Sequence, residues 1–233
     1  MSRAAAVGIA DLIQEKTRFG ADFHLVLTGG STPQPLYRLL GTEFSGKINW
    51  RFVHLYWGDE RYVPHDHQES NYRMAKETLL NTIDIPAPNI HPMPTEHDSP
   101  KIAAEKHAGE LRQIFPGSDE AIPRFDLILL GMGGDGHVAS LFPHHALLEE
   151  EEKLVGVVTD SPKPPPTRLT MTLPLINAAK RIYFLVSGES KAVAVKRLVD
   201  GTSPSQEYPA SLVNPEKGNV SWWLDEAAAK LLQ

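Results

Sequence analysis

The chain alternates short apolar runs with segments whose apolar residues recur at helical spacing. Five runs rich in β-branched and aromatic residues predict strands. They are Phe23 to Thr28, Phe52 to Trp57, Phe125 to Gly131, Leu154 to Val158 and Ile182 to Ser187. The first, third and last are almost continuously apolar, which is typical of parallel strands covered on both faces.

Helical patterns separate these strands at Ala4 to Glu15, Pro35 to Leu40, Ser70 to Leu80, Ser99 to Phe115 and Ser190 to Val199. Ser70 and Ser99 are the predicted N-caps, and Pro100 suits a first helical turn. The remaining predictions are proline-rich loops at Ile85 to Pro94 and Ser161 to Pro166, and a last strand or packing segment at Trp222 to Leu224 before a short terminal helix. The alternation predicts βαβ units around a largely parallel sheet.

Composition limits the classes of function. The 233 residues are 41% hydrophobic, enough for one sizeable core, and a single domain over residues 1–233 is the starting hypothesis. The absence of cysteine excludes disulfides and cysteine chemistry, and makes the cytoplasm the expected compartment. We expect no membrane association, because no apolar run is long enough to cross a bilayer. The net charge of -6 disfavours non-specific nucleic-acid binding, so an anionic ligand needs a local site.

The first candidate for such a site is the segment Leu27 to Pro33, which joins a strand to a helix. Gly29 and Gly30 allow a tight backbone turn, and Ser31 with the helix N-terminus offers hydrogen-bond donors to a phosphate. A simple capped turn explains the segment equally well. It lacks the spacing of a nucleotide-binding loop.

The second candidate, Trp57 to Pro64, continues into Ser70-Asn71-Tyr72. Asp59, Glu60 and Arg61 directly follow a predicted parallel strand, at the sheet edge where open α/β folds place ligands. The competing interpretation is an exposed turn with a local ion pair between Glu60 and Arg61.

The third candidate is the stretch from Phe125 to Pro143, where a buried strand runs into glycines that bracket Asp135 and His137. A histidine can accept a proton from water, and a carboxylate can fix its tautomer. Their spacing of two residues does not guarantee direct pairing, and a core or capping histidine is the alternative. The glycine-rich setting at a strand end favours catalysis.

Two cations complete the candidates. Lys191 begins a predicted helix, where its charge opposes the helix dipole unless an anion compensates it, and Arg168 follows a proline-rich loop. Either could instead be a solvated surface charge. The close histidine pairs, His65 with His67 and His144 with His145, lack further ligands at suitable spacing, so we predict no metal site.

Taken in this order, the four segments resemble the 6-phosphogluconolactonase family, which shares its fold with glucosamine-6-phosphate deaminases and ribose-5-phosphate isomerases. The resemblance runs from about Leu27 to Lys191. Its most specific motifs are Gly29 to Pro33, Trp57 to Val63 with Ser70-Asn71-Tyr72, Asp135 to Pro143, and Lys163 to Arg168 followed by Leu173-Pro174-Leu175-Ile176-Asn177. It implies a three-layer α/β/α fold with a largely parallel, modified Rossmann-like sheet of the sugar-phosphate isomerase/CoA-transferase type.

The resemblance also implies a reaction, the hydrolysis of 6-phospho-D-glucono-1,5-lactone in the oxidative pentose phosphate pathway, with no cofactor. His137 would be the general base, and Asp59 and Asp135 would orient water, sugar hydroxyls or His137. The implied phosphate contacts are Gly29, Gly30, Ser31, Arg61, Arg168 and Lys191. The expected partner is the small phosphorylated lactone, with no nucleic acid or membrane, and the expected state is a monomer or weak homodimer.

Two departures from the family pattern stand out. Gly134 and Val138 occupy positions where many relatives carry Glu and Thr. The chain also begins inside the first helix, which leads us to expect that an edge strand of the family's sheet is missing.

Two alternative functions remain. An amino-sugar phosphate deaminase on this fold would carry a glutamate where this chain has Phe142 before Pro143. A sugar-phosphate sensor without turnover would carry a DNA-binding segment, which neither the N-terminus nor the acidic charge offers. Both are ranked below the lactonase.

Overall fold

A six-stranded parallel sheet lies at the centre of the computed structural model, which describes residues 1–115 and 122–232. The strands are β1 (Phe23–Leu27), β2 (Val53–Trp57), β3 (Asp59–Arg61), β4 (Ile90–His91), β5 (Leu127–Gly131), β6 (Val155–Val158), β7 (Arg168–Met171), β8 (Arg181–Val186) and β9 (Asn219–Leu224). The central sheet has the order β4-β2-β1-β5-β8-β9, and its neighbouring strands are all parallel. The predicted parallel sheet is therefore confirmed.

Helices cover both faces of this sheet. They are α1 (Ser2–Thr17), α2 (Gln34–Gly41), α3 (Asn71–Thr78), α4 (Pro100–Ile114), α5 (Leu173–Asn177) and α6 (Ala192–Val199). Leu25 and Leu55 on one face pack with α1, α2 and α3, whereas Val26 and Tyr56 on the other pack with α4 and α6. This alternation along each strand produces the predicted three-layer α/β/α fold. Within the described ranges, no helix has the length and apolarity needed to cross a membrane.

A second, antiparallel sheet of order β3-β7-β6 was not predicted. The apolar run at Leu154 to Val158 does form a strand, β6, but it belongs to this sheet. Gly58 joins the two sheets, since its N–H donates to the Leu27 carbonyl and its own carbonyl accepts from Met171. The charged segment after β2 is therefore a short strand, held by pairing with a distant part of the chain.

Local capping signals proved reliable. The hydroxyl of Ser70 accepts from the Arg73 N–H, that of Ser99 accepts from the Ile102 N–H, and Pro100 is the first residue of α4. The predicted short terminal helix is wrong, because residues 226–231 form turns. Asp225 holds these turns through the Ala228 N–H and also accepts from the Gly188 N–H, which ties the segment to the loop after β8.

A buried carboxylate fixes the amino ends of the central strands. Asp126 accepts hydrogen bonds from the backbone N–H of His24 at 2.9 Å and from the ammonium groups of Lys16 and Lys180 at 2.6 and 2.9 Å. Burial alone would raise the pKa of Asp126, but these donors outweigh it and hold that pKa below its usual value. The carboxylate thereby links α1, β1 and β8 at the edge opposite to the site described below.

Three histidines form a stacked cluster on the α4 side of the sheet. His24, His54 and His91 lie on the adjacent strands β1, β2 and β4, with ring centroids 5.0 and 5.3 Å apart. Nδ1 of His54 lies 3.0 Å from Nε2 of His91. Burial lowers the pKa of all three, and the mutual repulsion of the rings lowers those of His24 and His91 further, to about 4. The folded protein therefore keeps His24 and His91 neutral in mildly acidic solution.

Because of the histidine cluster, we expect the free energy of unfolding to fall in acid. The unfolded chain gains protons near pH 6.5, whereas the folded chain resists them until about pH 4, so the free energy of unfolding falls as the pH drops through that window. Urea unfolding measured at several pH values should show this slope. We expect a shallower slope for His91→Gln and the native slope for His67→Gln, which changes an exposed histidine. Equal slopes in native protein and His91→Gln would contradict the explanation.

Candidate active site

A cavity of about 550 Å³ opens at the carboxyl ends of β1, β5 and β8. The strand order reverses at β1: the chain continues to β2 on one side of β1 and later returns to β5 on its other side. Open α/β sheets bind ligands at such a reversal. Eight of the nine predicted site residues line the cavity: Gly29, Gly30, Ser31, Asp59, Arg61, His137, Arg168 and Lys191. The ninth, Asp135, contacts the ring of His137 instead.

The structure pairs Asp135 with His137, which their spacing alone left open. Oδ1 of Asp135 lies 2.5 Å from Nδ1 of His137. Burial would raise the pKa of Asp135, but the hydrogen bond and charge of His137 outweigh it and hold that pKa well below its usual value. An ionised carboxylate only accepts hydrogen bonds, so the proton of the neutral ring stands on Nδ1 and Nε2 keeps a free lone pair.

The backbone around this pair leaves no room for larger residues. The N–H of Gly133 donates to the His137 carbonyl at 2.9 Å, closing the loop that carries both side chains. A Cβ atom on Gly133 would overlap Oδ1 of Asp135 and Nδ1 of His137. Ala139, which lines the cavity, has a φ of 48°, a conformation that costs energy for a residue with a side chain. The loop is thus shaped around the Asp135–His137 contact.

Two arginines lie side by side on adjacent strands of the second sheet. Arg61 and Arg168 are direct partners in the antiparallel pairing of β3 with β7, so their side chains leave the same face. Burial lowers the pKa of Arg168, and the charge of Arg61 adds to this while Asp59 opposes it. Like charges placed directly opposite are destabilising, and an anion between them would relieve the repulsion. This part of the cavity is suited to a phosphate group.

Arg168 is a buried strand residue and not the solvated surface charge that sequence allowed. It is 5% exposed, and its guanidinium donates to the carbonyls of Lys163, Pro164 and Pro165 at 2.9 to 3.2 Å. It thereby fixes the loop that carries Lys163 beside the cavity.

Glu60 points away from the cavity and holds the start of α3. Its carboxylate accepts from the backbone N–H groups of Asn71 and Tyr72, both at 2.7 Å, and from the Ser70 hydroxyl at 3.1 Å. Burial raises the pKa of Glu60, although these donors oppose the shift. The competing ion pair with Arg61 is not formed, because the Arg61 guanidinium donates to the Glu69 carbonyl at 2.6 Å.

Asp59 connects the histidine loop to α3. It is 6% exposed, and its Oδ2 accepts from the Ser140 hydroxyl at 2.7 Å. The carboxamide of Asn71 donates to the Asp59 backbone carbonyl at 2.9 Å and lies 3.3 Å from its Oδ1. A carboxylate held from both sides in this way is rigid and can orient what binds beside it.

The turn after β1 forms the opposite wall. Gly30 has a φ of 86°, which favours glycine, and the chain then enters α2. The hydroxyl of Thr32 lies 2.9 Å from that of Ser187, which joins this turn to the loop bearing Lys191. Burial lowers the pKa of Lys191, and the charge of Lys163 lowers it further.

Among the lining residues that sequence reasoning did not name as site residues are Lys163 and Asn71. Lys163 stood inside a motif of the resemblance, but a lysine beside three prolines carries no chemical signal of its own. Asn71 was quoted only as part of Ser70-Asn71-Tyr72. In residues 1–115 and 122–232, no three His, Cys, Asp or Glu side chains are grouped so as to hold a metal ion.

The fold and the cavity together define an α/β protein with an Asp–His pair and a wall of cationic side chains at one sheet edge. Residues 1–222 match the family model described as glucosamine-6-phosphate isomerases/6-phosphogluconolactonase, and the chain belongs to that family. A 6-phosphogluconolactonase of Synechocystis sp. is 43% identical over 209 residues, which cover 90% of this chain and 84% of the relative.

Solved structures agree on the fold. The 6-phosphogluconolactonase of Trypanosoma brucei superposes with a TM-score of 0.86 at 31% identity, covering 100% of this chain and 94% of that one. A monomeric glucosamine-6-phosphate deaminase superposes with a TM-score of 0.80 at 26% identity, covering 99% and 95%. Because both activities occur on one fold, the side chains of the cavity must distinguish them.

Gly133 offers a test of the Asp135–His137 contact. We expect Gly133→Ala to separate the two side chains, because the added methyl group occupies their space. The Nδ1 proton of a histidine bonded to a carboxylate can be observed by NMR, and its downfield resonance should disappear in this variant. Gly131→Ala is the matched control, since a Cβ atom there would lie 3.6 Å from the Thr28 hydroxyl, an ordinary van der Waals contact. An unchanged resonance in Gly133→Ala would show that the contact tolerates the methyl group.

Proposed function

We propose that this protein is a 6-phosphogluconolactonase, which hydrolyses 6-phospho-D-glucono-1,5-lactone to 6-phosphogluconate. The observation that carries the proposal is the Asp135–His137 pair beside a cavity whose walls bear Arg61, Arg168 and Lys191. Hydrolysis of a lactone that carries a phosphate group requires a general base at the ester and, beside it, cationic side chains that bind the phosphate. The name of the Synechocystis relative supports the same activity.

His137 is the proposed general base. Its Nε2 removes a proton from a water molecule while the water oxygen attacks the lactone carbonyl carbon. Asp135 keeps the ring in the required tautomer and stabilises the imidazolium that forms. The carbonyl oxygen then becomes an oxyanion, which backbone N–H groups of the glycine-rich loops can stabilise.

The second half of the reaction returns the proton. The tetrahedral intermediate collapses, the bond between the carbonyl carbon and the ring oxygen breaks, and the imidazolium of His137 gives its proton to the departing oxygen. The products are a carboxylic acid, which ionises, and a free sugar hydroxyl. No covalent enzyme intermediate is required, because the ester is already activated.

The remaining predicted residues bind the substrate. The guanidinium groups of Arg61 and Arg168, the ammonium of Lys191 and the donors of Gly29 to Ser31 surround the phosphate. Asp59, fixed by Ser140 and Asn71, borders the same cavity and orients the sugar hydroxyls or the water.

Phe142 argues against the deaminase alternative. Its ring lies 4.8 Å from the His137 ring and is buried, at the position where the resemblance places a glutamate in deaminases. An apolar ring there cannot transfer a proton. Ammonia release from glucosamine-6-phosphate would reverse this ranking, and binding of 6-phosphogluconate without any hydrolysis would favour the sensor.

The wider setting is part of the same proposal. The proposed enzyme acts without a cofactor in the oxidative pentose phosphate pathway, as a monomer or weak homodimer. Its proposed compartment is the cytoplasm, which is consistent with a chain that lacks cysteine. Analytical ultracentrifugation of the full chain would measure the oligomeric state.

Substitutions in the pair test the base. We expect His137→Ala to lower kcat by about 100-fold to 10,000-fold, the usual contribution of general base catalysis, while 6-phosphogluconate still binds. Asp135→Asn should also lower kcat, because an amide oxygen no longer stabilises the imidazolium. The lactone is generated enzymatically and its disappearance followed after subtraction of spontaneous hydrolysis. Unchanged turnover in His137→Ala would exclude the role.

A lysine substitution tests the phosphate wall. Removing a hydrogen bond to a charged group costs about 1.5–3 kcal/mol, so Lys191→Met should raise KM by roughly tenfold to a hundredfold with a smaller change in kcat. Lys196→Met is the control, since Lys196 lies on α6 but is exposed and pairs with Asp200. Similar KM values for the two variants would place the phosphate elsewhere.

A further inference from the structure

Asn71 lines the cavity, and the proposed mechanism uses it only to hold Asp59. It is the first residue of α3 and is 2% exposed. Its carboxamide nitrogen donates to the backbone carbonyl of Asp59 at 2.9 Å, with Oδ1 of Asp59 at 3.3 Å. Since both of these partners are acceptors, the orientation of the carboxamide is fixed and its oxygen must point the other way.

The carboxamide oxygen of Asn71 points at Gly29. It is buried and has no hydrogen-bond partner among the described residues. A Cβ atom on Gly29 would overlap both this oxygen and the carboxamide carbon. The Cα–H of Gly29 therefore faces the oxygen, an arrangement typical of weak C–H···O contacts.

This contact explains why residue 29 is glycine. Gly30 has a positive φ that favours glycine, whereas the φ of Gly29 lies outside the left-handed region. Backbone conformation therefore does not demand glycine at position 29. The close approach of Asn71 does, because only a hydrogen atom fits between the turn and the carboxamide.

The backbone of Asn71 is held in place by Glu60. Glu60 accepts its backbone N–H at 2.7 Å, and the Ser70 hydroxyl beside it donates to the same carboxylate. Glu60 and Asp59 are adjacent on β3, with side chains on opposite faces. One short strand thus holds both the backbone and the side chain of Asn71.

We infer that Asn71 is a positioning residue, whose carboxamide sets the distance between the turn from Gly29 to Ser31 and the strand that carries Asp59 and Arg61. The inference rests on the proposed function, in which that turn binds the substrate phosphate. Asn71 acts through Gly29 and touches no reacting atom. Without it, the turn can move toward α3, and the phosphate no longer lies at the distance from His137 that the lactone requires.

A double-mutant cycle tests the contact without relying on catalysis. Gly29→Ala should destabilise the native protein, because the methyl group overlaps the carboxamide. In the Asn71→Ala background the same substitution should cost much less, because the space is free. Urea unfolding of the four proteins measures the coupling. An insoluble Gly29→Ala variant with a soluble double variant is the same result in stronger form, whereas an equal cost of Gly29→Ala in the native and Asn71→Ala backgrounds overturns the contact.

Steady-state kinetics test the link to substrate binding. Asn71→Ala should raise KM for the lactone roughly tenfold, with a change in kcat of less than about threefold, because the phosphate site moves more than the base does. Asn89→Ala is the matched control: Asn89 is also buried, and its carboxamide donates to the backbone carbonyls of Arg51 and Val53, away from the cavity. We expect it to lose stability with an unchanged KM.

The two measurements separate the possible failures. If Asn71→Ala and Asn89→Ala change KM equally, Asn71 only stabilises the fold and the inference is wrong. If the native protein does not hydrolyse the lactone, the proposed function fails, while the unfolding cycle still decides whether Asn71 and Gly29 are coupled.

Discussion

The arrangement of the cavity depends on one buried carboxylate, that of Asp59. A carboxylate with so little access to water needs hydrogen-bond donors, and here they come from two distant parts of the chain, Ser140 and Asn71. Ser140 ends the loop that carries His137, and Asn71 begins α3. The requirement to satisfy a single carboxylate therefore brings together the histidine loop, the second sheet and the helix that faces the turn from Gly29 to Ser31.

Positive charge is concentrated on the walls of this cavity. The protein as a whole is acidic, with a net charge of -6, yet the walls carry Arg61, Lys163, Arg168 and Lys191. Asp59 and Asp135 are engaged in hydrogen bonds within the protein, and the carboxylate of Glu69 lies 3.9 Å from the Arg61 guanidinium. The four cations outnumber these carboxylates, so the local field is opposite in sign to the net charge of the molecule.

The sequence revealed those features of the fold and site that have local causes. β1, β5 and β8 were found because strands covered on both faces are continuously apolar, and Ser70 was found because an N-cap acts within three residues. β3 and β7 were missed because pairing across more than 100 residues forms them and their charged residues give no apolar signal. For the same reason, the burial of Arg168 and the contact of Asn71 with Gly29 became visible only in three dimensions.

The opposed pair of Arg61 and Arg168 has a consequence for turnover. In the proposed reaction the phosphate of the substrate relieves the repulsion between them, and 6-phosphogluconate carries the same phosphate as the lactone. Such binding stabilises substrate, transition state and product alike, so it improves capture of a dilute substrate without accelerating the chemical step. In the proposed reaction, tight capture and fast departure of the product therefore oppose each other. Under this proposal, the affinity of the two arginines for the phosphate of the product limits how quickly the protein can accept its next substrate molecule.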